Sequence, residues 1–177
     1  MKKSLRYVLL IILSAVMAVL CAGCSPVATV TPVEKFESVF NEESVVKTLD
    51  EFLGSGENAR RDRTAFGDGE KAAAQYIASM LTGYGYEEGI TLETQEISAE
   101  ITSGYGTETK TLNSRNVIAT YNEGKSKTVV IGANYDNLYS NIDDAGVTGD
   151  GGEGVLCNAT GVAVLLELAR TFKTLAP

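Results

Sequence analysis

The sequence GANYDN at residues 132–137 places polar side chains directly after an apolar run at 127–131. Loops that follow a rigid strand commonly carry binding or catalytic residues. Asp136 offers a carboxylate there, whereas Asn134, which stands where a metal ligand would be expected, offers only a neutral amide. Cys157 follows the Asp- and Gly-rich loop 137–156 and offers a thiol. These three side chains are the candidates for chemistry at this end of the strand.

The chain contains no histidine. This absence excludes a Ser-His-Asp triad, a Cys-His pair and a histidine-ligated zinc site built from this chain alone. A hydrolytic site within these residues would have to use carboxylates, hydroxyls, lysines or Cys157.

Each candidate also has a plain structural interpretation. Asp136 fits a solvated carboxylate at a strand end. Cys157 fits a small buried residue at the start of a helix, or a thiolate favoured by the helix N-terminus. The acidic loop residues could bind calcium weakly or simply be solvated, and their spacing differs from that of an EF-hand; they are Asp143, Asp144, Asp150 and Glu153.

The first 23 residues have the three parts of a secretory signal: basic residues, an apolar run from 7 to 20, and small residues before a cysteine. The run is short for a membrane span, although an uncleaved anchor is the alternative. The sequence Ala22-Gly23-Cys24 resembles the lipobox of bacterial lipoproteins, with Cys21 in place of the usual leucine. It implies lipidation at Cys24, a tether over 24–35 and an extracytoplasmic location on the bacterial cell membrane.

The chain has 15 basic and 23 acidic residues, a formal net charge of −8, and no basic residue cluster. Because nucleic-acid binding needs clustered Lys and Arg, nucleic acid is not an expected partner. Removal of the signal leaves Cys157 as the one cysteine besides Cys24, so no internal disulfide is expected in a processed monomer.

Hydrophobic periodicity predicts a series of helices and strands. The predicted helices cover 36–53, 68–81 (capped by Asp68) and 159–172; the predicted strands cover 90–97, 100–109, 114–121 and 127–136, with a hairpin turn at 123–125. This order predicts an α/β fold, a three-layer α/β/α domain with a mixed, mostly parallel sheet. Since the chain stops at Pro177, right after the last helix, we expect the domain to be truncated after its first strands and helices.

Three blocks of the sequence resemble the di-zinc exopeptidases, the family of bacterial leucyl aminopeptidase, aminopeptidase Y and the peptidase-like domain of transferrin receptor. The blocks are RTAFGDGEKAAAQYIASMLTGYGY (63–86), SRNVIATYNEGKSKTVVIGANYDN (114–137) and CNATGVAVLLELAR (157–170). The resemblance assigns 57–177 to the N-terminal portion of such a domain, after an N-terminal helix at 36–56.

This resemblance implies two zinc ions that activate a bridging water for hydrolysis of N-terminal residues from peptides. The residues at the matching positions depart from the family. Asn134 stands where the family has its first histidine ligand, and Cys157 stands where it has the bridging aspartate. Asp136 matches the aspartate that orients the ligand histidine.

The resemblance therefore leads us to expect a surface lipoprotein that is catalytically inactive on its own and binds no zinc. Two alternatives remain: half of a functional metallopeptidase completed by another polypeptide, or a non-catalytic module that binds peptides or a surface partner protein.

Overall fold

The computed structural model describes residues 31–54, 62–102, 109–121, 126–137, 139–143, 146–149 and 154–175. The chain divides into two units, Met1–Pro32 and Val33–Pro177, and the description concerns the second. Its elements are α1 (Pro32–Glu37), α2 (Glu42–Leu53), α3 (Asp68–Gly83), β1 (Leu92–Thr102), β2 (Thr109–Ala119), β3 (Tyr139–Asp143), β4 (Gly146–Gly149), a π-helical turn (Val155–Ala159) and α4 (Thr160–Leu175). The α/β class is confirmed.

Several predictions concern residues outside the described ranges. These are the signal sequence, the lipidation site Cys24, most of the tether and the hairpin turn at 123–125. The predicted calcium ligands also fall outside, because no side chain of residues 138–153 is described.

The helix predicted over 36–53 is two helices in the structure, α1 and α2. Asn41 separates them in an extended conformation (φ −130°, ψ 113°), and its Oδ1 accepts a hydrogen bond of 3.1 Å from the backbone N–H of Ser44. An asparagine in this geometry satisfies an N–H group that the first helical turn leaves open. The apolar periodicity continues through this cap, so the prediction of one helix was wrong.

The helix predicted from Asp68 is confirmed as α3, but its N-terminus is capped differently. The N-cap is Gly67, which has no side chain to accept a hydrogen bond from the first helical turn. The carboxylate of Asp68 instead pairs with Lys71 at 3.0 Å. The buried carboxylate of Glu70 instead accepts hydrogen bonds from the Phe66 N–H and from the hydroxyl of Ser114 on β2. Glu70 thereby ties the start of α3 to the hairpin.

The predicted C-terminal helix is confirmed as α4, and it contributes several buried residues to the core. Its buried face packs against α2 and α3. The buried apolar residues of this core are Phe52, Leu53, Ala73, Ile77, Leu81, Tyr86, Leu92, Ala159, Val162, Leu166 and Ala169. By length and composition alone, Val155–Leu175 is also long and apolar enough to cross a membrane, and it is the one such helix among the described residues. Its packing here is that of a core helix of a folded domain.

A buried carboxylate on α4 fastens the preceding helices to the core. Glu167 is 1% exposed and accepts hydrogen bonds from the backbone N–H of Asn41 (2.8 Å) and from the Arg170 guanidinium (2.6 and 2.8 Å). Arg170 also donates to the carbonyl oxygen of Val39 at 2.7 Å. The α1–α2 connection is therefore held by charge-assisted hydrogen bonds.

The strands of the described residues pair in two antiparallel hairpins, β1–β2 and β3–β4. In the first, Leu92 lies opposite Ala119 and Thr102 lies opposite Thr109, without a bulge. β1 (Leu92–Thr102) joins most of the predicted strand 90–97 to the first residues of the predicted strand 100–109. β2 begins at Thr109, five residues before the predicted 114. The β3–β4 hairpin lies within 137–156, which was predicted to be loop.

The strand predicted over 127–136 is absent from the structure. Among the described residues nothing pairs with 126–136, and Val129 and Val130 are 84% and 88% exposed. Nearly continuous apolar sequence is typical of a strand covered on both faces. The described part of the chain supplies no such cover, which is why the prediction of an interior strand was wrong for this structure.

Candidate functional site

The polar segment after the apolar run lies at the surface of the domain. Asn134 is exposed, Asp136 is half-buried and Asn137 is buried. Asn137 is held in a short parallel bridge with Thr64, in which its N–H donates to the Arg63 carbonyl oxygen at 2.7 Å and its own carbonyl accepts from the Ala65 N–H at 3.2 Å. The backbone after Asp136 is thereby anchored, while the amide of Asn134 faces solvent.

Cys157 lies in the π-helical turn directly before α4 and is exposed. The interpretation of Cys157 as a buried residue was therefore wrong. Its backbone is not helical (φ −125°, ψ 74°), and the Cys157–Asn158 peptide bond is cis. Cys157 thus precedes the first turn of α4, and its thiol is open to reagents in solution.

One buried side chain connects the two segments. Arg63 is 0% exposed, and its Nε donates to the Tyr135 carbonyl oxygen at 2.8 Å. One terminal nitrogen donates to Oδ1 of Asn137 at 2.9 Å and to the carbonyl oxygen of Gly154 at 3.1 Å. The structure therefore brings the segment carrying Asn134 and Asp136 next to the start of the turn carrying Cys157.

Gly154 fits this junction because it has no side chain. Its backbone is left-handed (φ 58°), a conformation that costs other residues energy. A Cβ at this position would lie 2.0 Å from Oδ1 of Asn137 and 2.8 Å from the terminal nitrogen of Arg63. We name Arg63, Asn137 and Gly154 the Arg63 junction.

Tyr135, between Asn134 and Asp136 in the chain, is not an acid–base group at neutral pH. Burial, reinforced by the negative charge of Glu70, raises the pKa of Tyr135 to about 12. Its hydroxyl donates to the carbonyl oxygen of Arg115 on β2. Tyr135 thus links the polar segment to the hairpin and stays protonated.

The described donors do not fit a di-zinc centre. Asn134 offers a neutral amide, a far weaker zinc ligand than imidazole, and the thiol of Cys157 cannot bridge two metals through two oxygens as a carboxylate does. No group of three or more His, Cys, Asp or Glu side chains suited to a metal occurs in the part of the chain that the structure describes.

Sequence reasoning missed the residues that organise this site. In the sequence, Arg63 is the first residue of the block 63–86 and Asn137 is the last residue of GANYDN at 132–137. Neither was predicted to organise the site. A fully buried arginine cannot be recognised from residue type, since arginine is usually exposed. The sequence did contain one signal, namely Gly154, a glycine that lies between a glycine-rich loop and a predicted helix.

Comparisons with known proteins found one family model and one solved structure to which this chain is similar. Residues 116–177 match the model of Peptidase family M28. The fold is similar to the crystal structure of a leucine aminopeptidase precursor from Bacteroides thetaiotaomicron, with a TM-score of 0.56 and 22% sequence identity. The similarity covers 78% of this chain but 43% of that one, so the chain spans less than half of the aminopeptidase's length. No curated protein matched.

The sequence match covers the polar segment, the loop and α4, and the structural match extends the likeness to most of the chain. At 22% identity the structural match establishes the fold alone. Together the two matches support a partial, peptidase-like domain that is similar to the M28 zinc exopeptidases.

Proposed function

We propose that this protein is a lipid-anchored, peptidase-like surface protein that does not hydrolyse peptides by itself. The observation that carries the proposal is the identity of two residues. Asn134 and Cys157 stand at positions that correspond to metal ligands in the family, and the sequence contains no histidine that could take their place.

The surroundings of these residues support a scaffold without metal chemistry. Both side chains are exposed, and the carboxylate of Asp136 has no histidine to orient. A carboxylate that orients a ligand histidine acts through the imidazole that it holds. Without a metal, neither the water activation nor the carbonyl polarisation of this family is available. We therefore propose that the domain binds a peptide or a surface protein partner and leaves it intact.

The anchor is part of the proposal. It rests on the signal-like residues 1–23 and on Cys24 after two small residues. The full chain is expected in the detergent-soluble membrane fraction, and a Cys24→Ser variant is expected to lose lipid; unchanged lipid labelling of that variant would refute the anchor at Cys24.

Hydrolysis measurements test the absence of activity. The full chain and the double variant Asn134→His/Cys157→Asp are purified in detergent and assayed on leucine p-nitroanilide with added zinc. We expect neither to exceed the rate of a matched blank, because the double variant restores at most two of the five ligand positions and no second histidine exists in the chain. Zinc-dependent turnover by either protein, abolished by a chelator, would overturn the proposal.

A second candidate is favoured by the exposed apolar run. Val129 and Val130 are 84% and 88% exposed, and Ile131 is 52% exposed, although their sequence suits an interior strand. Such a run would be covered if another polypeptide added strands and completed a functional metallopeptidase. The second candidate requires a coding sequence beyond Pro177, or elsewhere, with a Glu-Glu segment and a terminal histidine. Turnover on mixing its product with this chain would favour the second candidate over the first.

A further inference from the structure

We infer that Arg63 is the positioning residue of this site and that its guanidinium fixes the polar segment against the turn before α4. The inference is independent of whether the protein hydrolyses peptides, because it concerns only the relative placement of Asn134, Asp136 and Cys157. Arg63 lies about 70 residues before the first of them in the sequence and contacts both segments directly.

The first support is that the guanidinium of Arg63 donates hydrogen bonds to both segments. The Nε–H of Arg63 reaches the Tyr135 carbonyl, and a terminal nitrogen reaches both Asn137 and the Gly154 carbonyl, at 2.8, 2.9 and 3.1 Å. A planar guanidinium donates in fixed directions, so these acceptors are held at a fixed separation. A lysine ammonium has the charge but lacks this fork.

The second support is that the guanidinium is itself held in place. It is 0% exposed, and its central carbon lies 5.0 Å from the centroid of the Phe52 ring. Phe52 belongs to α2 and is also 0% exposed. The Arg63 backbone carbonyl accepts the N–H of Asn137 at 2.7 Å. Arg63 therefore holds both segments against Phe52 of the core.

The third support is the close fit at Gly154. Any side chain there would meet Asn137 and Arg63 at 2.0 and 2.8 Å, so the turn cannot approach the polar segment unless residue 154 is glycine. The Gly154 carbonyl also accepts the Ala159 N–H at 3.1 Å, which connects the junction to the turn that contains Cys157. A disturbance at the Arg63 junction should thus reach both segments together.

Hydrogen exchange measured by mass spectrometry on the full chain in detergent tests the inference. In Arg63→Lys we expect exchange at 132–137 and at 154–160 to accelerate together by ~10-fold or more, since hydrogen bonds from a charged donor are lost in both segments. Exchange in the middle of α3 and α4 should change by less than about threefold. Arg115→Lys is the matched control, because its side chain is 28% exposed, pairs with Glu96 and lies outside the junction.

Gly154→Ala perturbs the junction without changing Arg63, and it carries the test if Arg63→Lys does not fold. We expect the same joint acceleration of both segments. Gly132→Ala is its control, because a Cβ at Gly132 meets no atom within 4 Å. Acceleration of only one segment, or a uniform acceleration that includes α3 and α4, would overturn the inference, since the latter shows a general loss of stability.

Discussion

Replacement of Leu166 with alanine is expected to lower the free energy of unfolding by about 2–5 kcal/mol. Leu166 is 0% exposed and lies on the face of α4 that packs in the core between α2 and α3. The substitution removes buried apolar surface and leaves a cavity that the surrounding helices can fill only in part. The loss would be a large fraction of the stability of a domain of this size.

Urea denaturation followed by circular dichroism measures this loss. Val164→Ala is the matched control, because Val164 lies on the same helix and is 37% exposed. We expect its loss to stay below about 1.5 kcal/mol, because a partly exposed side chain loses less contact with its neighbours. Equal losses for the two variants would contradict the assignment of the core to this face of α4.

Replacement of Glu167 with alanine is expected to cost about 2–4 kcal/mol near neutral pH. The buried carboxylate accepts from Asn41 and Arg170, and its removal leaves the Asn41 N–H and part of the Arg170 guanidinium without an acceptor. Glu51→Ala is the control, because the Lys47–Glu51 pair at 3.6 Å is exposed and such pairs contribute roughly 0.5 kcal/mol. Urea denaturation of the two variants should differ accordingly.

The effect of Glu167 should also depend on pH. Burial by itself raises the pKa of this carboxyl, but hydrogen bonds from Arg170 and from the Asn41 backbone outweigh it and hold the pKa below the ordinary value of 4.5. The stabilisation by the carboxylate is therefore full above pH 4.5 and is lost as the pH falls through the lower pKa of the folded state. Compared with Glu167→Gln, the native chain should lose stability more steeply below that pH; parallel curves would contradict the assignment.

The helices could be predicted from sequence because each buries one apolar stripe, and a stripe with helical period is legible residue by residue. Val162, Leu166 and Ala169 recur on one face of α4 and are buried together. The division between α1 and α2 could not be predicted in this way. It depends on the hydrogen bond between Asn41 and Ser44, while the apolar spacing runs through it.

The strands were harder because strand formation depends on a neighbour that periodicity does not identify. The β1–β2 hairpin is largely exposed and polar, with Ser98 bonded to Asn113 and Gln95 to Asn116 across the strands. The apolar segment 127–131 forms no strand in the described structure because no described strand pairs with it. Hydrophobicity therefore identified an apolar segment that is suited to a buried strand, but it did not identify the strand or helix that would bury it.

The fold could be predicted from the sequence more fully than the chemistry of the candidate site. The order of three sequence blocks indicated the fold that the structural match confirms. The interpretation of Asn134 and Cys157 as altered ligand positions stays a prediction, because it follows from the resemblance. The Arg63 junction could not be predicted from the sequence, because Asn137 and Gly154 lie far from Arg63 in the chain and meet only at its buried guanidinium.

Zinc binding tests the central claim most directly, because the chemistry of this family depends on two metal ions. The full chain in detergent is dialysed against excess zinc, freed of unbound metal and measured by elemental analysis beside a Cys157→Ser variant. An inert relative is expected to retain no zinc above the background, and the two proteins should give the same value. Two zinc ions per native chain, and fewer in the Cys157→Ser variant, would contradict the claim.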